Sequence, residues 1–109
     1  KKKLERGVKM DDAKIGVFLN EIREEQHISP FREDSEFEGY IKDGIYDINT
    51  YCGNKIDYDQ DLQARRLLKN YVLYADYKRL AEFKQIYIGE YDALQRKYYV
   101  NSNIQWWKI

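Results

Sequence analysis

Residues 35–53 read SEFEGYIKDGIYDINTYCG, and this stretch decides the fold class. Phe37, Tyr40, Ile41, Ile45, Ile48, Tyr51 and Cys52 recur at spacings of three and four, as one face of a helix requires. Ser35 and Glu38 have the spacing of a capping box, in which each side chain satisfies a free backbone donor of the other. Gly53 follows the last apolar residue, where helices commonly end in a left-handed cap. Gly44 lies on the apolar stripe, and its missing side chain leaves room for another backbone to approach.

The flanking segments are also helical in pattern. Upstream, Ile15, Phe18, Leu19 and Ile22 fall at i, i+3, i+4 and i+7, predicting a helix from about Asp12 to Gln26. Asp11 or Asp12 caps its start, and Pro30 keeps it from running through Ser29. Downstream, the polar link Asn54 to Asp61 offers Asp57, Asp59 and Asp61 as caps for a long third helix, Leu62 to Tyr87. Its apolar set is Ala64, Leu67, Leu68, Tyr71, Val72, Tyr74, Ala75, Leu80, Ala81 and Phe83, wider than a single stripe. Such a helix lies centrally or meets another chain along one side. Gly89 then marks a break or kink before a fourth helix, Glu90 to Tyr99, with Tyr91, Leu94 and Tyr98 on one face. Asn101, Ser102 and Asn103 are expected to stop it.

The expected fold is therefore all-α: a small bundle of about four helices with a long third helix and extended arms at both termini. Residues 1–10 form a basic arm around Lys1, Lys2, Lys3, Arg6 and Lys9, residues 11–99 the helical domain, and residues 100–109 an aromatic tail. Ile45, Ile48, Leu68 and Val72 are expected to share the core.

Composition limits the function. A chain of 109 residues is one domain, and its 19 basic and 19 acidic residues cancel. Zero net charge argues against nucleic acid as the main partner, because phosphate binding draws on a basic excess. The single cysteine, Cys52, allows no intrachain disulfide and suits a reducing compartment. No apolar run approaches membrane-spanning length, and no signal peptide is visible.

No residue constellation marks an active site. His27, the only histidine, reads as a helix-end surface residue, and neither CxxC nor HxxxH spacing offers a zinc site. Cys52 sits on an apolar stripe and reads as core. Glu33, Asp34, Glu36 and Glu38 cluster where a helix dipole favours negative charge. Asp57, Asp59 and Asp61 superficially resemble the start of a calcium loop, but Leu62 and Leu68 occupy its glycine and glutamate positions. No metal, cofactor or catalytic activity is expected.

The aromatics are the functional candidates. There are 11 tyrosines, and Tyr presents a hydroxyl at a wet boundary while burying its ring. Tyr71, Tyr74, Tyr98 and Tyr99 on the helices, and Ile104, Trp106, Trp107 and Ile109 in the tail, are the expected interface.

The order of elements and the run Leu67-Leu68-Lys69-Asn70-Tyr71-Val72-Leu73-Tyr74, leading through Leu80-Ala81-Glu82-Phe83 into Tyr91-Asp92-Ala93-Leu94-Gln95, resemble the head–tail connector proteins of long-tailed bacteriophages and prophages. The resemblance covers about residues 11–99 and rests on element order and sequence pattern. It implies a non-enzymatic subunit of a homo-oligomeric ring, twelve-fold to match a portal. Its partners would be the portal and a tail-completion protein, with DNA passing through without sequence-specific binding and no membrane involved. It implies a place in the virion neck, assembled in the bacterial host cytoplasm. The competing expectation is a small helical regulatory or nucleic-acid-binding module using the basic arm with Arg65, Arg66, Lys78 and Arg79.

Overall fold

The computed structural model describes the backbone of residues 10–107 and the side chains of residues 10–98. The basic arm before Met10, and Ile109, lie outside the described residues. The fold is all-α, with four helices in the order α1 (Asp12–Glu25), α2 (Asp34–Cys52), α3 (Leu62–Asp76) and α4 (Leu80–Trp107).

Each apolar stripe finds its partner. Ile15, Phe18, Leu19 and Ile22 of α1 are buried, as are Phe37, Ile41, Ile48 and Cys52 of α2. α2 packs on α1, α3 and α4 and is the centre of the bundle. Ile48, Leu68 and Val72 are fully enclosed, as expected; Ile45 is only partly buried at the edge of the same core. Gly44 is a point of close approach between α2 and α3. A methyl group there would stand 2.6 Å from Leu68 Cδ1 and 2.9 Å from Tyr71 Cδ1. The close approach is made by side chains of α3 rather than by its backbone.

Four boundary expectations need correction. The capping box does not form: α2 begins at Asp34 behind Glu33, without a side-chain cap. The carboxylates there hold the α1–α2 turn instead, Asp34 binding Arg23 and Glu36 binding Arg32.

The long third helix is two helices. Lys78 takes a left-handed conformation with φ 62°. Its N–H donates to the Ala75 carbonyl at 3.0 Å, and the Arg79 N–H to the Tyr74 carbonyl at 2.9 Å. This is a complete Schellman ending, made without the usual glycine. The wide apolar set of residues 62–87 follows from this turn. One part is the stripe of α3, and the other returns on α4, where Phe83 packs edge-on against Tyr71 at 5.5 Å between ring centroids.

Gly89 interrupts nothing. It lies inside α4, and the cost of about 1 kcal/mol for an interior glycine is carried by the burial of Phe83, Tyr91 and Leu94. Finally, the segment after Val100 is not extended. α4 continues through Asn101, Ser102 and Asn103 to Trp107, a total of 28 residues, making it the longest helix.

Gly44 and Gly39 provide a matched test, because both are inside α2 but an added methyl at Gly39 meets nothing within 4 Å. Gly39→Ala is expected to stabilise the protein by about 0.5–1 kcal/mol through helix propensity. Gly44→Ala should fall below it by about 1–3 kcal/mol, the cost of overpacking. Urea unfolding of the two variants checks the difference.

Candidate interaction surfaces

The tyrosines expected at an interface are mostly committed to their own chain. Tyr71 is 8% exposed, with its ring against Gly44 and Phe83. Tyr74 is half-buried against Phe83 and Tyr87. Tyr98 is half-buried and its hydroxyl donates to Asp61. The side chains of Tyr99, Ile104, Trp106 and Trp107 lie outside the described residues.

Hydroxyl–carboxylate bonds fasten α4 to the bundle. Tyr91 of α4 donates to Asp47 of α2 at 2.6 Å, and Tyr51 of α2 donates back to Asp92 of α4 at 2.6 Å. The two bonds run in opposite senses between the same helices. Further along, Asp61 takes the Tyr98 hydroxyl, the Lys97 ammonium at 2.9 Å and the Ala64 N–H at 3.0 Å. One carboxylate thus caps α3 and anchors α4. Burial alone would raise the Asp61 pKa, but the bonds from Tyr98, Lys97 and Ala64 outweigh it and hold the group below the usual carboxylate range. Burial, reinforced by the bond to Asp47, pushes the Tyr91 hydroxyl well above its ordinary value. The Cys52 thiol is pushed up to about 11, first by burial and then by Asp61, so it is a packing residue rather than a nucleophile.

The other candidates are also structurally engaged. His27 is exposed in the left-handed turn ending α1, with φ 53°. Asp59 pairs with Lys14 at 3.2 Å and Arg65 at 3.5 Å. Arg65 binds Glu21 and lies over the Phe18 ring, so it is not a free basic group. Lys78 and Arg79 stand past the far end of α3 from Arg65, about 20 Å away at the helical rise. Among the described residues no cluster of three or more His, Cys, Asp or Glu is placed to hold a metal ion. No described helix is long and apolar enough to cross a membrane.

Beside single exposed side chains such as Val17, Tyr46, Leu62 and Tyr77, two exposed features stand out, both missed by periodicity. The first is the turn Ser29–Arg32, closed by the Arg32 N–H on the Ser29 carbonyl at 3.1 Å, with Pro30 and Phe31 at its apex. Arg23 donates to both Ser29 O and Arg32 O, and its Nε donates to Asp34 at 3.1 Å. Arg32 clamps Asp76 at 2.6 Å and Glu36 at 3.1 Å. Phe31 stands out from this pinned turn 93% exposed. An apolar residue directly after a turn-forming proline was the signal available in the sequence.

The second is the outer side of α4. Its packed stripe is Phe83, Tyr87, Tyr91, Leu94 and Tyr98. About a third of a turn away, Ile86, Gly89 and Ala93 make another line, in which Ile86 is 61% exposed and Gly89 is open. The next turn on that side is charged, with Arg96 and Lys97 exposed; by backbone register positions 100, 104 and 107, which are valine, isoleucine and tryptophan, fall on the same line.

The Asp61 node has a pH signature. Its lowered pKa contributes stability that is present above the unfolded value, about 3.9, and lost as pH falls through the folded value. Asp61→Asn should lower stability at pH 7 by about 1–2 kcal/mol and flatten the acid limb of the stability curve. Denaturant melts from pH 7 to pH 2 check both.

No family model matches the chain, and neither curated proteins nor solved structures provide a match.

Proposed function

We propose that the protein is a non-catalytic helical subunit of a multi-copy assembly, and that the head–tail connector ring of a long-tailed phage is the assembly it fits. The observation that carries this reading is the two-sided character of α4. Its inner stripe is satisfied by α2 and α3 as far as Tyr98. Its outer line begins with exposed Ile86, is interrupted by exposed Arg96 and Lys97, and resumes by backbone register at positions 100, 104 and 107. An exposed apolar residue beside a stripe that is already packed offers a second contact side, and among the described residues no other element covers it.

The charge balance suits this role. A wall of mixed charge around a DNA passage lets the duplex slide, whereas adhesion to phosphate requires unpaired Lys and Arg. Arg65, Arg32 and Arg23 are instead tied to Glu21, Asp76 and Asp34. In this reading the portal and a tail-completion protein are the partners above and below the ring, and the function is geometric rather than chemical.

Deletion of residues 103–109 separates an assembly element from a folding element. The truncated chain should unfold within about 0.5 kcal/mol of the full chain, as surface changes usually do. In light scattering it should lose higher-mass species or partner binding. A sharp loss of stability with assembly unchanged would place the segment in the core and overturn its assembly role.

A further inference from the structure

We infer that Phe31 is a preformed knob that inserts into the cleft between α2 and the α3–α4 junction of a second copy of this chain. The inference rests on the multi-copy reading above and names one contact within it.

The knob is defined by what surrounds it. A scattered exposed apolar residue is ordinary on a protein surface. Phe31 differs because the backbone that carries it is held from both sides. Arg23 spends its guanidinium on the two carbonyls that bracket the turn and on Asp34. Arg32, the next residue, reaches across to Asp76 at the end of α3. Arg32 also lies over the Phe37 ring, with 4.7 Å to the centroid, so the clamp is anchored in the core. This scaffold holds in water an aromatic ring that packs on nothing among the described residues. Pre-set geometry of this kind lowers the ordering cost of binding, and a rigid aromatic is the usual anchor of an interface.

The cleft is the complementary feature. It is an open cavity of about 390 Å³ lined by Tyr40, Asp43, Tyr71, Ala75, Lys78 and Leu80. Its floor is aromatic and aliphatic, and its polar groups are at the rim. Phe31 does not fill the cleft of its own chain, since it is 93% exposed.

Charge selects the occupant. Glu33, two residues beyond the knob, is exposed, and among the described residues it forms no ion pair. Lys78 at the rim is exposed and likewise forms no ion pair there, its ammonium lying 3.4 Å from the Tyr40 hydroxyl. A knob carrying a carboxylate without an ion pair and a cleft whose ammonium meets only the neutral Tyr40 are complementary in shape and sign. Asp43 on the rim sets the direction, because Glu33 is favoured only on the Lys78 side. Knob and cleft are different surfaces: used head to tail the contact closes a ring or continues as a filament, whereas two chains that exchange knobs reciprocally close a dimer, and the mass of the assembled species separates the two.

The test is sedimentation and light scattering of the full chain over a range of concentration. Wild type should form species above the 13.2 kDa of one chain. Phe31→Ala should leave circular dichroism and the unfolding midpoint unchanged while weakening self-association about thirtyfold or more, as loss of a hot-spot aromatic does. Glu33→Lys and Lys78→Glu, both at exposed positions, should each weaken it several-fold. An equimolar mixture of those two variants should recover association, since each supplies the charge the other's surface needs. Assembly that is indifferent to Phe31, or a charge-reversed mixture no better than its components, overturns this contact and leaves the assembly reading intact. A wild-type chain that stays monomeric throughout overturns the multi-copy reading and the contact together.

Discussion

The hydrogen bonding of buried tyrosine to carboxylate is the constraint on which the bundle depends. α4 must bury a face made largely of tyrosine, and a phenol taken out of water without a partner costs about 1–3 kcal/mol. Asp47, Asp61 and Asp92 supply the partners, and they stand where the tyrosines of the opposing element arrive. Because Tyr91–Asp47 and Tyr51–Asp92 cross in opposite senses, sliding α4 by one turn would break both at once. The aromatic contacts set how closely the helices approach; the hydroxyls set the register.

That register then fixes the surfaces. With Tyr91, Leu94 and Tyr98 turned inward, Ile86, Gly89 and Ala93 necessarily lie on another side of α4. The Lys78 turn has a comparable effect at the opposite end. It ends α3, brings Phe83 back against Tyr71 and Tyr74, and leaves Lys78 beside the cleft bordered by Tyr40 and Leu80. The clamped turn at Ser29–Arg32 is joined to the same end of the bundle through Arg32 and Asp76. The packing interactions and the candidate contact surfaces therefore share residues.

Periodicity revealed α1 and α2 almost to the residue, because each has one stripe and a recognisable stop, although the capping box read at the start of α2 does not form. Gly53 is left-handed with φ 69° and ends α2 where its position suggested. The boundary between α3 and α4 was not legible, since a lysine adopts the conformation that usually advertises itself as glycine, while the glycine at position 89 is an ordinary helical residue. Polar Asn101, Ser102 and Asn103 looked like a stop, yet residues of modest helix propensity are carried by a long helix once its earlier turns are fixed by packing. Of the described tyrosines, Tyr58, Tyr71 and Tyr91 are buried, Tyr40, Tyr51, Tyr74, Tyr87 and Tyr98 are half-buried, and Tyr46 and Tyr77 are exposed. Composition does not distinguish a hydroxyl satisfied by water at an interface from one satisfied by an aspartate in the core. Phe31 was invisible to stripe counting because its significance lies in the arginines that hold its turn.

The claim that tyrosine–carboxylate bonds lock α4 is tested most directly by a double-mutant cycle on Tyr91 and Asp47. Tyr91→Phe keeps the ring and removes the hydroxyl; Asp47→Ala removes the acceptor, which an asparagine would retain in its amide oxygen, as Asn49 does for Tyr58. Unfolding free energies of the two single variants and the double variant should give a coupling of about 1–3 kcal/mol, the worth of a hydrogen bond to a charged group. Losses that add to within about 0.3–0.5 kcal/mol would show that the pair is not coupled and would contradict the account.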